Sequence, residues 1–228
     1  QDGSEFDARL VKYQGKKLDK LTLGDEGSAK AAKAAVEAAN FTIEEIETKP
    51  FKRNPAPPFT TSTLQQEAAR KLGFSASHTM RLAQSLYEAG AITYMRTDGV
   101  QMDGSAISEC RKAVSDRYGG HALPEKPRIY QSKAKNAQEA HECVRPTDMT
   151  KDADALKLTE PDQRKLYDLI WKRMVASQMT DSISDATTVD IDAMGGPSGT
   201  SYTLRATGSV LKFPGFRAVY VEARDTTS

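Results

Sequence analysis

The chain has 228 residues, 32 Lys+Arg against 31 Asp+Glu, and 38% hydrophobic and 7% aromatic residues, with a mean hydropathy of −0.58. That length suits one or two domains and is enough to bury a real core, which excludes disorder along the whole chain. No run of about 18 apolar residues occurs, which excludes a transmembrane helix, and a net charge of +1 argues neither for nor against an anionic partner.

The opening Gln1-Asp2-Gly3-Ser4-Glu5 has no initiator Met and no basic-then-apolar leader. With the abrupt end at Asp225-Thr226-Thr227-Ser228, it reads as a piece of a longer protein. Alternation over Phe6–Tyr13 and over Phe41-Thr42-Ile43-Glu44-Glu45-Ile46-Glu47-Thr48 predicts strands. Between them an alanine-rich helix is expected over Ser28–Ala39, with Ser28 as N-cap and Asn40 as stop. Asn54-Pro55-Ala56-Pro57-Pro58 is too proline-rich for a helix and reads as a hinge. Ser62-Thr63-Leu64-Gln65 predicts a capping box for a helix reaching Gly73. A second helix is expected over His78–Ala89, capped by Ser75 or Ser77 and stopped by Gly90, and a third from about Ser105 to Tyr118. The last follows Thr159-Glu160-Pro161-Asp162 and runs to about Met179. Strands return at Thr187–Asp192, Ser201–Ala206 and Ala218–Glu222, punctuated by Gly195-Gly196-Pro197, Gly208 and Pro214-Gly215.

Strands therefore flank helices. Two short strand groups make poor separate sheets, so an α+β fold is expected in which both ends of the chain share one antiparallel sheet. The division reads as a discontinuous β-rich part, 1–53 plus 181–228, interrupted by a helical part, 54–180. The first 53 residues carry 10 basic and 10 acidic side chains, residues 54–180 carry 18 against 15, and residues 181–228 carry 4 against 6. An anionic partner should thus meet the middle of the chain. Cys110 and Cys143 lack CxxC partners, so neither a disulfide framework nor a zinc knuckle is expected, and a reducing cytoplasm fits.

The most informative stretch is Glu88-Ala89-Gly90-Ala91-Ile92-Thr93-Tyr94-Met95-Arg96-Thr97-Asp98-Gly99. A short strand after Gly90 would place Tyr94 and Arg96 on one face. A phenol is a poor nucleophile near pH 7, because phenols ionise near pH 10. A neighbouring guanidinium favours the phenolate and can hold two phosphodiester oxygens through its planar fork. Thr93, Thr97 and Asp98 add hydrogen-bonding groups. By spacing alone, a packing role for Tyr94 stands beside the catalytic one. In Lys133–Asp148, a helix before Pro146 would put Gln138, His141 and Arg145 on one face, where they could hold a phosphate backbone or simply be solvated.

The string Ser85–Asp98 resembles the active-site tyrosine motif of type IA DNA topoisomerases, Ala137–Thr147 resembles their second motif, and Pro58-Phe59-Thr60-Thr61-Ser62-Thr63-Leu64-Gln65-Gln66-Glu67-Ala68 resembles a third, in family order over most of the chain. The likeness is to bacterial members, with Cys143-Val144 and Gly99 as mild departures. It implies that Tyr94 forms a 5′-phosphotyrosyl link to DNA and that Arg96 steadies the scissile phosphate. It further implies DNA contacts by His141, Arg145, Gln84 and Tyr87, and support of the tyrosine loop by Gln84, Glu88, Thr93, Thr97 and Asp98. For Tyr87, stacking on a base and packing in the core both remain open.

The resemblance also implies an isomerase that relaxes negative supercoils without ATP, by strand passage through a hinged, toroidal protein of the bacterial nucleoid. Its partners would be DNA, single strands preferred, and no membrane. In the family Mg²⁺ is bound by a Toprim domain that precedes this segment. No metal site is expected here, since Asp152-x-Asp154 and Asp190-x-Asp192 read as structural, and the segment alone is expected to be inactive. One rival is a non-catalytic helix-turn-helix module over residues 62–89 presenting His78, Arg81 and Gln84. Another is a tyrosine recombinase, which needs more Arg around its His than His141 and Arg145 supply.

Overall fold

The computed structural model describes residues 3, 5–13, 15–19, 21–131, 142–194 and 201–222. They divide into two compact units, one formed within Gln1–Phe51 and Ile183–Lys212, the other from Lys52–Ser182 and the stretch that begins at Phe213.

The first unit is built on a sheet of five strands, β1 (Arg9–Tyr13), β2 (Lys16–Lys17), β3 (Asn40–Arg53), β4 (Ser182–Met194) and β5 (Ser201–Phe213), in the order β2-β1-β5-β4-β3. The pairing of β1 with β5 is antiparallel, with Leu10 opposite Leu204 and Tyr13 opposite Tyr202. Sequence-distant ends thus share one sheet, as the alternation predicted. Helix α1 (Glu26–Glu37) supplies Ala32 to a small core with Ala193 and Tyr202, against which Leu10, Tyr13 and Val36 pack. Its N-cap is Asp25, whose carboxylate accepts from the Ser28 amide at 2.8 Å, so Ser28 lies inside the first turn. Strand β5 passes straight through Gly208, and β3 continues through Pro50 as an edge strand, the place in a sheet where proline is tolerated. Gly195-Gly196-Pro197 lies outside the described residues.

The second unit holds α2 (Thr61–Leu72), α3 (Ala76–Glu88), α4 (Gly104–Tyr118) and α5 (Pro161–Ser177). Pro161 sits in the first turn of α5, where its absent N–H would have no partner anyway. Buried Leu166, Tyr167, Leu169, Ile170, Met174 and Val175 make α5 the spine of this core. The capping box of α2 uses Thr60 and Thr63 instead of Ser62, and α2 ends at Gly73 with φ +70°. Ser75 caps α3 by accepting from the His78 amide at 3.2 Å.

The strand expected at Ala218–Glu222 is absent. Residues Gly215–Ala218 form a 3₁₀ turn, and the chain from Phe213 packs with the helices, not with the sheet to which 181–228 was expected to belong. Phe216 and Tyr220 are 5% and 4% exposed within the helical core. The Tyr220 hydroxyl donates to Glu67 Oε2 at 2.5 Å. Arg173, only 4% exposed on its side chain, donates to Pro57 O at 2.7 Å and pairs with Glu222 at 2.8 Å. Apolar burial and this satisfied ionic cluster outweigh the β propensity of Val219, Tyr220 and Val221.

Candidate active site

Helix α3 stops at Gly90, whose φ of +70° favours glycine. The Ala91 amide closes the last turn on Leu86 O at 2.9 Å. Beyond it Ile92 forms a single antiparallel bridge with Pro146, and no regular strand follows. Exposure nevertheless alternates as in a strand. Tyr94 is 50% exposed, Met95 is 1% exposed and Arg96 is exposed, so the phenol and the guanidinium leave the same face of a segment anchored by Met95.

Threonine hydroxyls do the work a sheet ladder would do. Thr61, in the first turn of α2, donates from Oγ1 to Met95 O at 2.7 Å and accepts from the Thr97 amide at 2.8 Å. Its own amide donates to Thr97 O at 2.9 Å, so both peptides flanking Arg96 are fixed by one residue. On the other side, Thr93 Oγ1 donates to Cys143 O at 2.7 Å and accepts from the Arg145 amide at 3.0 Å, and the Thr93 amide donates to Arg145 O at 2.9 Å. Thr147 Oγ1 reaches Gly90 O at 2.6 Å. The Thr97 hydroxyl accepts from the Gly99 amide at 3.0 Å. Sequence reading missed Thr61 and Thr147 as tethers. Thr61 lies within the Phe59-Thr60-Thr61 string, but its partner Met95 is 34 residues away, a distance that no local pattern encodes.

Thr61→Val keeps the shape but strands Met95 O and the Thr97 amide, a local loss of about 1–3 kcal/mol. Hydrogen exchange at the Thr97 amide should accelerate by about tenfold or more, and Thr61→Ser should restore protection. Unchanged exchange in the valine variant would show that the tether is not needed.

The second motif is not helical in its described part. Glu142, Val144 and Pro146 bridge to Gln101, Phe59 and Ile92, and Val144 N donates to Phe59 O at 2.8 Å. These long-range bridges override the helical spacing read for Arg145. Gln138 and His141 lie outside the described residues. The Arg145 side chain is 12% exposed, with Nε on Glu142 Oε1 at 2.6 Å and Nη1 on Pro146 O at 2.9 Å. It is built into the wall beside the tyrosine segment.

Tyr87 is 41% exposed and meets Tyr94 edge to face, with ring centroids 5.3 Å apart, so it lies outside the core. One turn earlier on α3, Gln84 Nε2 donates to Glu88 Oε1 at 2.7 Å. Asp98 is exposed beside Thr97. A cleft of about 400 Å³ opens between α3 and Arg96, lined by Ser77, Met80, Arg81, Gln84 and Arg96. The face thus offers an exposed phenol, a guanidinium two residues further on, and aromatic and amide surface alongside.

The two Asp-x-Asp pairs are engaged by neighbouring side chains. Asp190 is gripped by Arg205 through two bonds of 2.6 and 2.8 Å, which hold its carboxyl below the usual range, and Asp192 accepts from Thr203. Asp152 is held by Arg117 at 2.7 Å, which likewise lowers it, and Asp154 by Arg164. Among the described residues no group of three or more His, Cys, Asp or Glu converges as metal ligands. Cys110 and Cys143 are free and buried, and burial pushes both thiols up to about 12, so they stay protonated at neutral pH. Among the described residues no helix is long and apolar enough to cross a membrane.

Comparison with known proteins identifies the family of the chain. A family profile described as DNA topoisomerase matches residues 4–228. DNA topoisomerase 1 of Zymomonas mobilis is 56% identical over 224 residues, covering 98% of this chain and 18% of that protein. DNA topoisomerase 1 of Rickettsia felis is 47% identical over 229 residues, covering 96% and 29%. The structure of full-length topoisomerase I from Thermotoga maritima superposes with a TM-score of 0.72 at 32% identity, covering 98% of this chain and 36% of that one. The chain therefore spans less than a third of the length of these curated relatives.

Proposed function

Because the chain belongs to the type IA DNA topoisomerase family, we propose that Tyr94 is the nucleophile that cuts one DNA strand. Its phenolic oxygen forms a bond to the scissile phosphorus while the bond from phosphorus to the 3′-oxygen breaks. The phenolic proton passes to the departing 3′-oxygen. The products are a 5′-phosphotyrosyl link and a free 3′-hydroxyl. One phosphate ester replaces another of similar energy, so the reverse attack reseals the strand without an external energy source, and the broken end cannot diffuse away. Arg96 pairs with the non-bridging oxygens as charge builds on them. The single observation that carries this reading is the half-exposed Tyr94 beside exposed Arg96 on a segment pinned by buried Met95.

In the whole protein this step would let a second strand pass and negative supercoils relax, in the nucleoid, on DNA in which single strands are preferred. His141, Arg145, Gln84 and Tyr87 are proposed as strand contacts, and Glu88, Thr93, Thr97 and Asp98 as supports of the tyrosine segment. Mg²⁺ would supply charge neutralisation at the phosphate from carboxylates of a Toprim domain, since Asp152, Asp154 and Asp190 here are engaged by arginines and Asp192 by Thr203. Plasmid relaxation by this chain alone is accordingly not expected.

The test is to trap the adduct in a full-length protein carrying this chain, using oligonucleotides labelled at either end. A 5′ link carries the 3′-end label with the protein, on a peptide containing Tyr94. Capture of the 5′-end label, or phosphorus on another residue, overturns the reading.

A further inference from the structure

One cleft beside the tyrosine segment carries a second guanidinium, that of Arg81, which the cleavage step does not use. Two guanidiniums, Arg81 from α3 and Arg96, line the same space of about 400 Å³, together with Ser77, Met80 and Gln84. No carboxylate is among these lining residues. A larger cleft of about 540 Å³ at Trp171 behaves differently, because Asp152, Asp154 and Asp168 offset its basic side chains. Like charges that converge without acidic partners favour an anion.

Arg81 is also aimed. Its Nη2 lies 3.2 Å from His78 Nδ1, and His78 Nε2 lies 3.0 Å from Asp162 Oδ2. A guanidinium only donates, so Nδ1 accepts and Nε2 carries the hydrogen that Asp162 receives. The His78 ring is held in turn by the edge-to-face contact with Phe74 at 5.0 Å. That donor, followed by Lys165, holds the Asp162 carboxyl below the usual range. Three residues thus orient a side chain that would otherwise swing in solvent. His78 engages one of its five donors, and a phosphodiester takes two.

We propose that this cleft is a nucleotide subsite for the DNA strand, with Arg81 on a phosphodiester neighbouring the one that Arg96 faces and the Met80 thioether against the sugar or base. Gln84, its amide nitrogen held by Glu88, forms the wall between them. The inference rests on the cleavage reading only for the identity of the ligand as a DNA strand. The pairing needs no acid, metal or motion.

The test is a salt titration of a labelled oligothymidylate bound to this chain, read by fluorescence anisotropy. Each phosphate contact on a single strand contributes about 0.7 to the slope of log affinity against log salt. Arg81→Ala should lower the slope by about 0.7 and weaken binding about fivefold at low salt. Arg81→Lys should restore the slope, and Lys112→Ala, on the exposed face of α4, should leave it unchanged. Arg81 is exposed, so these variants keep the core intact. An unchanged slope in Arg81→Ala, or failure of the chain to bind the oligonucleotide at low salt, overturns the subsite. Binding with an Arg81-dependent slope but no adduct in the full-length protein overturns the cleavage reading alone. An adduct with a slope indifferent to Arg81 does the reverse.

Discussion

Replacing Tyr94 by Phe in a full-length protein carrying this chain is expected to lower covalent capture of DNA by at least about 10⁴-fold, the scale on which loss of a nucleophile acts. Noncovalent affinity for single strands should stay within about twofold, because the change removes one exposed hydroxyl. The ring itself is kept, and with it the edge-to-face contact to Tyr87 at 5.3 Å. Nearby hydroxyls are poor substitutes. Thr93 Oγ1 is committed to Cys143 O, and Thr97 Oγ1 accepts from Gly99 N. Tyr87 is the one rival phenol at hand, so Tyr87→Phe should retain capture. Arg96→Ala should slow adduct formation by about 10²–10³-fold, the range for removing one donor to a developing oxyanion. Arg96→Lys should recover only part of that, since a point charge cannot bridge two oxygens. Gel-resolved adduct formed over time reads all four variants. Capture that persists in Tyr94→Phe would move the nucleophile elsewhere.

What the sequence discloses about this site is its surface and not its fastening. The alternation Tyr94 out, Met95 in, Arg96 out follows from period two and needs no ladder, so it was legible although the expected strand is not formed. Helices were legible from their stops, Gly73 and Gly90, more securely than from their starts. Asp25 and Thr60 cap where Ser28 and Ser62 were expected, because a carboxylate or hydroxyl a few residues upstream reaches the same orphan amides. The tethers that hold Tyr94 join Thr61 to Met95 and Thr93 to Arg145, pairs 34 and 52 residues apart. Such bonds depend on the tertiary fold and leave no local signature. Arg145 shows the same limit, since its helical spacing yields to bridges made by Val144 and Pro146. At Ala218–Glu222 the β-branched pattern is real, but Tyr220 is buried in the helical core with Val219 packed against it, while Val221 stays exposed.

That return to the helices passes through Gly215, where the substitution Gly215→Ala is expected to cost on the order of 3–4 kcal/mol. The position has φ +50°, and an added Cβ would lie 2.1 Å from Asp181 O and 2.6 Å from Thr180 O. Both obstacles are backbone atoms, so no side chain can rotate away. The backbone cannot easily retreat, because the Thr180 amide donates to Ala122 O at 2.8 Å and the Phe216 amide to Thr180 O at 2.9 Å. Asp181 is further pinned by Arg128, whose Nε also holds Met179 O at 2.8 Å. Relief would require lifting Phe216 and Tyr220 out of the core, and with Tyr220 the buried partner of Glu67. For a unit of this size the melting temperature should fall by roughly 10 °C. Gly208→Ala is the matched control, since its added Cβ meets nothing within 4 Å and β5 is regular there. Calorimetry on the two variants separates a specific close approach from a general intolerance of lost glycine. Equal melting temperatures for both would mean that the turn at Pro214-Gly215 yields, and that the docking of Phe216 does not depend on it.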